Sequence, residues 1–276
     1  MITSAALAAR LWAAVPASSQ GDGGFHPPSI DDFFPPAFAF LGTPIEINRL
    51  MMIRIVMTVA LVLVFGIGAA RARIVPGRFQ NALEMLLDFV RVNIAEEILG
   101  ATYGRRYAPV LTTIFLGVLF LNISGIIPGL QMASTGVVGA PLVFAIVSYV
   151  TFVYAGVRTH GVGTFIKGSL IPTGVPPFLY ILIIPIELLS TFILRPLTLT
   201  IRLMANMISG HLLLALCFVA TNSLFFYAAA QLKAIGVVTL AAGLAFVVFE
   251  AFVAVLQAYI FSLLTAVYIN SSVHMH

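Results

Sequence analysis

Long apolar runs separated by short polar punctuations make up most of this chain, and only one stretch shows an amphipathic period near 3.6 residues. The first run, 46–70, is long enough to cross a hydrocarbon layer of ~30 Å at about 1.5 Å per residue. Arg54 near its start can snorkel towards the interface, and Arg71, Arg73 and Arg78 follow its end. Residues 80–99 differ in kind. Leu83, Leu86, Leu87, Val90, Ile94 and Ile98 recur at helical spacing, while Glu84, Asp88 and Arg91 line another face. That pattern predicts a helix lying on the membrane surface or against a partner helix, with Gly100 as its stop.

Two further spans are predicted over 108–130 and 137–157, the first interrupted by Asn122 and closed by Pro128-Gly129. Two longer runs follow, 177–220 and 234–270. The whole predicts an all-α polytopic membrane protein with five membrane-crossing helices and one amphipathic interfacial helix. Residues 1–45, rich in Gly, Pro and Ser, read as an external, weakly ordered lead before a membrane domain over 46–276. The basic clusters around Arg71 to Arg78 and Arg158 to Lys167 read as cytoplasmic. That places the N-terminus outside and the C-terminus inside a cell membrane.

The 177–220 run is too long for an upright crossing. It reaches roughly 60 Å, so it must tilt, lie partly in the membrane plane, or break near Pro185 or Pro196. With 234–270 it is expected to form a long tilted hairpin. At 100° per residue, Arg195, Thr198, Arg202, Asn206 and Ser209 share one face, and His211 lies on the opposite side. In the last run Glu250 and Gln257, seven apart, share a side. If the runs are antiparallel, Arg202 with Gln257 and His211 with Glu250 form pairs at equal depth, both centred within about half a residue of position 230.

Composition sharpens this picture. The chain is 61% hydrophobic and 9% charged, with a net charge of +4, far from a soluble domain. Eight of its ten acidic residues lie at or before Glu97, which leaves Glu187 and Glu250 alone in the rest. The positive balance reads as loops facing anionic lipid, so nucleic acid is not an expected partner. A single cysteine, Cys217, excludes a disulfide framework and a cysteine-based metal site, and no cofactor is expected.

Arg202 is the costliest residue in the apolar part. A guanidinium at the bilayer centre costs about 2.5–3.5 kcal/mol on insertion scales and cannot shed its proton. Its internal mates are poorly placed: Glu187 is fifteen residues away, and Glu250 matches His211 in depth. A carboxylate brought within about 4 Å would gain about 4 kcal/mol at an effective dielectric of about 20. The missing acid is therefore expected on another protein. His211 and Glu250 can exchange protons, and Asn206, Ser209 and Gln257 can hold water or orient a neighbour.

The stretch from Arg195 to His211, RPLTLTIRLMANMISGH, resembles the signature of subunit a of F-type ATP synthases. Leu256 to Phe261 (LQAYIF) resembles that family's last-helix motif, and Leu121 to Gly129 (LNISGIIPG) its third-helix motif. The resemblance spans about 40–270. It implies a non-catalytic, proton-translocating stator subunit facing a rotating ring of c subunits, with b-type subunits of a peripheral stalk and lipid as other partners. Arg202 would face the ring carboxylate, driving its deprotonation and blocking a short circuit, with Asn206 and Gln257 as neighbours. His211 and Glu250 would belong to an external half-channel and Glu187 to an offset internal one. Glu187 stands one residue further from Arg195 than in many relatives, and Met204 replaces a common aromatic. The alternative function is a self-contained proton-coupled transporter with His211 and Glu250 as relay; it predicts internal repeats, and none is visible. An intramembrane protease ranks last, because Asn122-Ile123-Ser124-Gly125 lacks the first glycine of a GxSG motif.

Overall fold

Peptide groups in hydrocarbon have no water to bond, so a chain this apolar must satisfy its backbone internally. The computed structural model, which describes residues 48–127, 130, 132, 134–170, 179–226 and 233–274, does so with helices. The lead expected over 1–45, Pro128-Gly129, the external connection at Gln131, the three prolines Pro172, Pro176 and Pro177, and the centre of the last turn lie outside those residues. The helices are α1 (Arg49–Ala70), α2 (Arg78–Val90), α3 (Glu97–Ile123), α4 (Gly139–His160), α5 (Val162–Leu170), α6 (Tyr180–Leu188), α7 (Arg195–Phe226) and α8 (Lys233–Val273). Two π-helical stretches, Arg91–Glu96 and Leu189–Leu194, join α2 to α3 and α6 to α7. Taken as continuous segments, five among the described residues are long and apolar enough to cross a membrane. The protein is an all-α polytopic membrane protein.

Local chemistry explains the boundaries. Gly100 adopts φ 73°, ψ 168°, kinking the helical run there without the Cβ penalty any other residue would meet. Helix resumes at once, so α3 is regular well before position 108, and it ends at Ile123 rather than continuing to 130. Gly161, at φ 81°, ends α4 and leads into α5. The nine residues of α5 are too few for periodicity to have announced them.

The run Tyr180–Phe226 does not break, although Pro185 and Pro196 both lie within it. Each proline lacks a donor and crowds the preceding turn. The π-helical stretch between them widens the helix, with the Arg195 N–H reaching back to the Ser190 carbonyl. The 47 residues remain one helical segment, roughly 70 Å long.

Contacts divide the chain into two units. The first comprises the residues up to Val59, Leu121–Val137 and Ala205–Ala254. Here α7 and α8 run antiparallel. The Thr221 hydroxyl donates to Thr239 Oγ1 at 2.9 Å. A Cβ added to Gly243 would meet Cys217 Cβ at 3.4 Å, and one on Gly236 would meet Leu224 at 3.3 Å. Each of these pairs is centred on position 230.

The second unit comprises Ala60–Phe120, Val138–Met204 and Val255–His276. Its core includes Leu111, Phe115, Val118 and Phe165, and the buried face of α8 adds small and hydroxyl residues. Ala258, Ser262, Thr265, Ala266, Ile269 and Ser272 of α8 are buried at helical spacing, while Leu256 and Val267 are exposed. Thr265 shares a 2.9 Å hydrogen bond with Ser148, and Ser272 donates to the Phe152 carbonyl at 2.9 Å. Small side chains permit this close approach, and hydroxyls bond across it. The stripe of the amphipathic helix docks on its own chain, with Val90, Ile94, Ala95 and Leu99 buried. Phe89 stacks 6.0 Å from Phe115 and 6.1 Å from Tyr259.

The tightest approach in this unit is at Gly156, where an added Cβ would collide with the Phe165 ring and the Ser272 hydroxyl. Gly156→Ala is therefore expected to lower stability by about 1–3 kcal/mol. Thermal unfolding of the detergent-solubilised protein checks this, and Gly163→Ala, where a Cβ meets nothing within 4 Å, serves as the control.

Candidate functional site

Arg202 lies in the first third of α7, on an exposed stripe with Thr198, while Leu199 and Leu203 are buried. Leu197 and Ile201 are exposed on this stretch too, and Thr200 is buried with the two leucines. Among the described residues the ion pairs are Arg91 with Glu96 and Arg105 with Glu96. Arg202 takes part in neither and makes no hydrogen bond there. Gln257, on α8 in the same unit, is only 6% exposed.

Glu187 lies in this unit too. It is half-buried, accepts a 3.3 Å hydrogen bond from the Thr191 hydroxyl one turn on, and lines a cavity of about 130 Å³. Ser169, Thr191, Arg195, Ser271 and Ser272 contribute to the same lining. The volume admits several waters, and nearly every polar wall group can donate to one or accept from one. Arg195 is held within the protein: its guanidinium carbon sits 5.6 Å from the Phe152 ring centre and 5.2 Å from that of Tyr268. Such cation–π contacts are worth about 0.5–2 kcal/mol. Read from the sequence as a helix-stabilising or lipid-facing charge, Arg195 packs against two rings of its own chain. The hydroxyls of Ser271 and Ser272 escaped sequence reasoning because they lie in a polar tail indistinguishable from a solvated end. Thr191 carried a signal, its spacing of four from Glu187.

The first unit holds the other acid. Glu250 is 4% exposed, and neither of its carboxyl oxygens has a hydrogen-bond partner among the described residues. Its carboxyl group lies over Gly210, where an added Cβ would come 3.6 Å from Oε1. That is ordinary van der Waals distance, so the acid packs directly against this point of the neighbouring helix. His211 follows at once, half-buried, with its Nδ1 atom shielded from solvent. Gly210 and Glu250 are again centred on position 230, so this pair shares the hairpin register. Asn206 is half-buried, and its backbone carbonyl accepts from the exposed Ser209 hydroxyl at 3.2 Å.

Asn122 also belongs to this unit. It is 1% exposed, donates to the Ala254 carbonyl at 3.3 Å, and accepts from the Thr135 hydroxyl at 2.6 Å. Arg54 does not snorkel. Its guanidinium donates to the carbonyls of Ser134, at 3.1 and 2.9 Å, and of Val137, at 3.3 Å. Sequence reasoning missed this because the two ends lie about eighty residues apart.

Chemically, these arrangements comprise one exposed permanent cation, one buried acid beside a histidine, and one hydrated-sized polar cavity with its own acid. Residues 50–270 match the family model described as ATP synthase A chain. ATP synthase subunit a of Rhodococcus erythropolis is 49% identical over 250 residues, covering 91% of each chain. That of Pseudarthrobacter chlorophenolicus is 35% identical over 261 residues, covering 95% of this chain and 97% of the relative. That of Magnetococcus marinus is 40% identical over 210 residues, 76% of each.

The hairpin register has a direct test. Disulfides span Cβ atoms about 3.5–4.5 Å apart, and Gly243 faces the protein's own Cys217 at 3.4 Å. Gly243→Cys is expected to form a disulfide with Cys217 under mild oxidation, seen as loss of maleimide labelling that reductant restores. Val247→Cys, one turn on, is expected to leave Cys217 labelled.

Proposed function

The chain belongs to the ATP synthase A chain family, and we propose that it acts as the proton-translocating stator facing a rotating ring of c subunits. The observation that carries this reading is Arg202: a permanent cation in an apolar helix, exposed, with no carboxylate paired to it among the described residues. A cation so placed is costly unless something outside the chain meets it.

A passing ring carboxylate is the partner of matching chemistry. Held at about 4 Å, its ionised form gains about 4 kcal/mol, enough to favour proton release roughly a thousandfold. Because the guanidinium keeps its own protons, it drives release without relaying them and blocks a direct leak. Glu250 and His211 supply the exchangeable groups of the external half-channel. A buried acid lacking a donor is tolerable where it trades protons with its surroundings. Glu187 and the hydroxyl-lined cavity around it support the internal half-channel, through which the released proton leaves. Gln257 orders water or the ring acid near Arg202, and Asn206 and Ser209 order water along their own stretch of α7. Each proton crossing about 100 mV delivers about 2.3 kcal/mol to rotation.

In this reading the subunit performs no bond chemistry itself. It is a multi-pass protein of the cell membrane, with N-terminus outside and C-terminus cytoplasmic, held by b-type stalk subunits. The basic clusters flanking α1 and α4 support that sidedness.

Two outcomes are expected in vesicles carrying the whole complex. Arg202→Ala abolishes ATP-driven proton pumping while the protein still inserts and copurifies with a ring of small two-helix subunits; normal pumping in that variant rejects the stator reading. His211→Ala and Glu250→Ala each lower passive proton flux by about tenfold or more, and unchanged flux in both removes the pair from the path.

A further inference from the structure

The first unit contains a buried polar assembly that the proton path described above does not use. The described residues 124–127, 130, 132 and 134–137 lie outside the helices, yet Ser124, Ser134 and Thr135 are 0% exposed. Ser124 Oγ lies 3.1 Å from Ser134 Oγ and donates to the Leu121 carbonyl at 2.6 Å. Non-helical backbone at this depth leaves carbonyls without helical partners, and Arg54 caps two of them from α1. Beyond these caps, the Thr135 hydroxyl orients Asn122, whose amide nitrogen reaches the Ala254 carbonyl. A helical carbonyl keeps a second lone pair for such a donor. Ala254 is 0% exposed and stands one turn after Glu250 on α8.

We propose that Arg54 and Thr135 are positioning residues for Glu250: the clasp Arg54–Ser134/Thr135–Asn122–Ala254 fixes the height and rotation of the α8 turn that carries the acid. The inference rests on the reading of Glu250 as a proton-path group. Neither residue touches the proton. Arg54 holds the connection in place, Thr135 sets the Asn122 amide so that nitrogen and not oxygen faces α8, and Asn122 pins the helix against rotation. Gly210 faces the carboxyl group on the neighbouring helix, so a small turn of α8 would carry the acid away from this contact.

Passive proton flux through the assembled complex in vesicles, normalised to copurified ring, tests this. Thr135→Val removes the donor at nearly constant volume and is expected to cut flux roughly three- to tenfold. Thr135→Ser keeps the hydroxyl and is expected to restore most of the flux, which a merely space-filling role would not predict. Arg54→Lys keeps the charge but loses the fork on Ser134, and an intermediate loss is expected. Flux equal to the parent in both Thr135→Val and Arg54→Lys overturns the proposal, as does Thr135→Ser conducting no better than Thr135→Val. Should Thr135→Val fail to assemble, Arg54→Lys decides: parental flux refutes the clasp and reduced flux supports it. Glu250→Gln separates the two readings. If it conducts normally, Glu250 itself leaves the path, whereas blocked flux there with normal flux in Thr135→Val and Arg54→Lys removes the clasp alone.

Discussion

A polar group surrounded by hydrocarbon has to be answered by the protein, because lipid offers it nothing. That constraint accounts for the continuous helices, and also for their irregularities. Two prolines in one long segment would leave carbonyls stranded, and the π-helical stretch between them keeps the segment whole. The described residues of the connection after α3 lie outside helical geometry, and backbone groups there are met by the Ser124 hydroxyl and by a guanidinium sent over from α1.

The same constraint turns the usual pattern of burial around. On α8 the inner face carries Glu250, Gln257, Ser262, Thr265 and Ser272 among alanines, and the outer face carries Phe249, Phe252 and Val255. Exposed apolar side chains here make a surface suited to a lipid environment. Alanine and glycine allow the helices to approach closely enough for hydroxyls to bond across the gap, as Ser148 and Thr265 do.

Against so much satisfied polarity, two groups stand apart. Arg202 is exposed without a counter-charge, and Glu250 is enclosed without a donor, among the described residues. An acid buried without a donor is costly, and so is a cation among exposed apolar side chains in a membrane helix. Arg195 makes the contrast plain. It is as cationic as Arg202 and seven residues away, yet two aromatic rings hold it beside a polar cavity. One arginine is answered within the chain, and the other is the cation proposed above to meet a ring carboxylate.

What sequence alone determined here follows from periodicity and composition. Apolar runs of spanning length gave the helical class and the five crossings, and Arg202 declared itself by cost. The antiparallel register was also legible, because equal depth is a property of residue numbers once two helices pack; contacts from Thr221–Thr239 to Gly210–Glu250 share the expected centre. Tertiary structure alone decided which polar groups are answered and by whom. Arg54 looked like an interfacial snorkeler until the Ser134 and Val137 carbonyls came within its reach. Ser271 and Ser272 carried no sign in the sequence of standing in the wall beside Glu187. Hydrogen bonds depend on distances of about 3 Å between atoms far apart in the chain, and a linear pattern of hydrophobicity does not encode those distances.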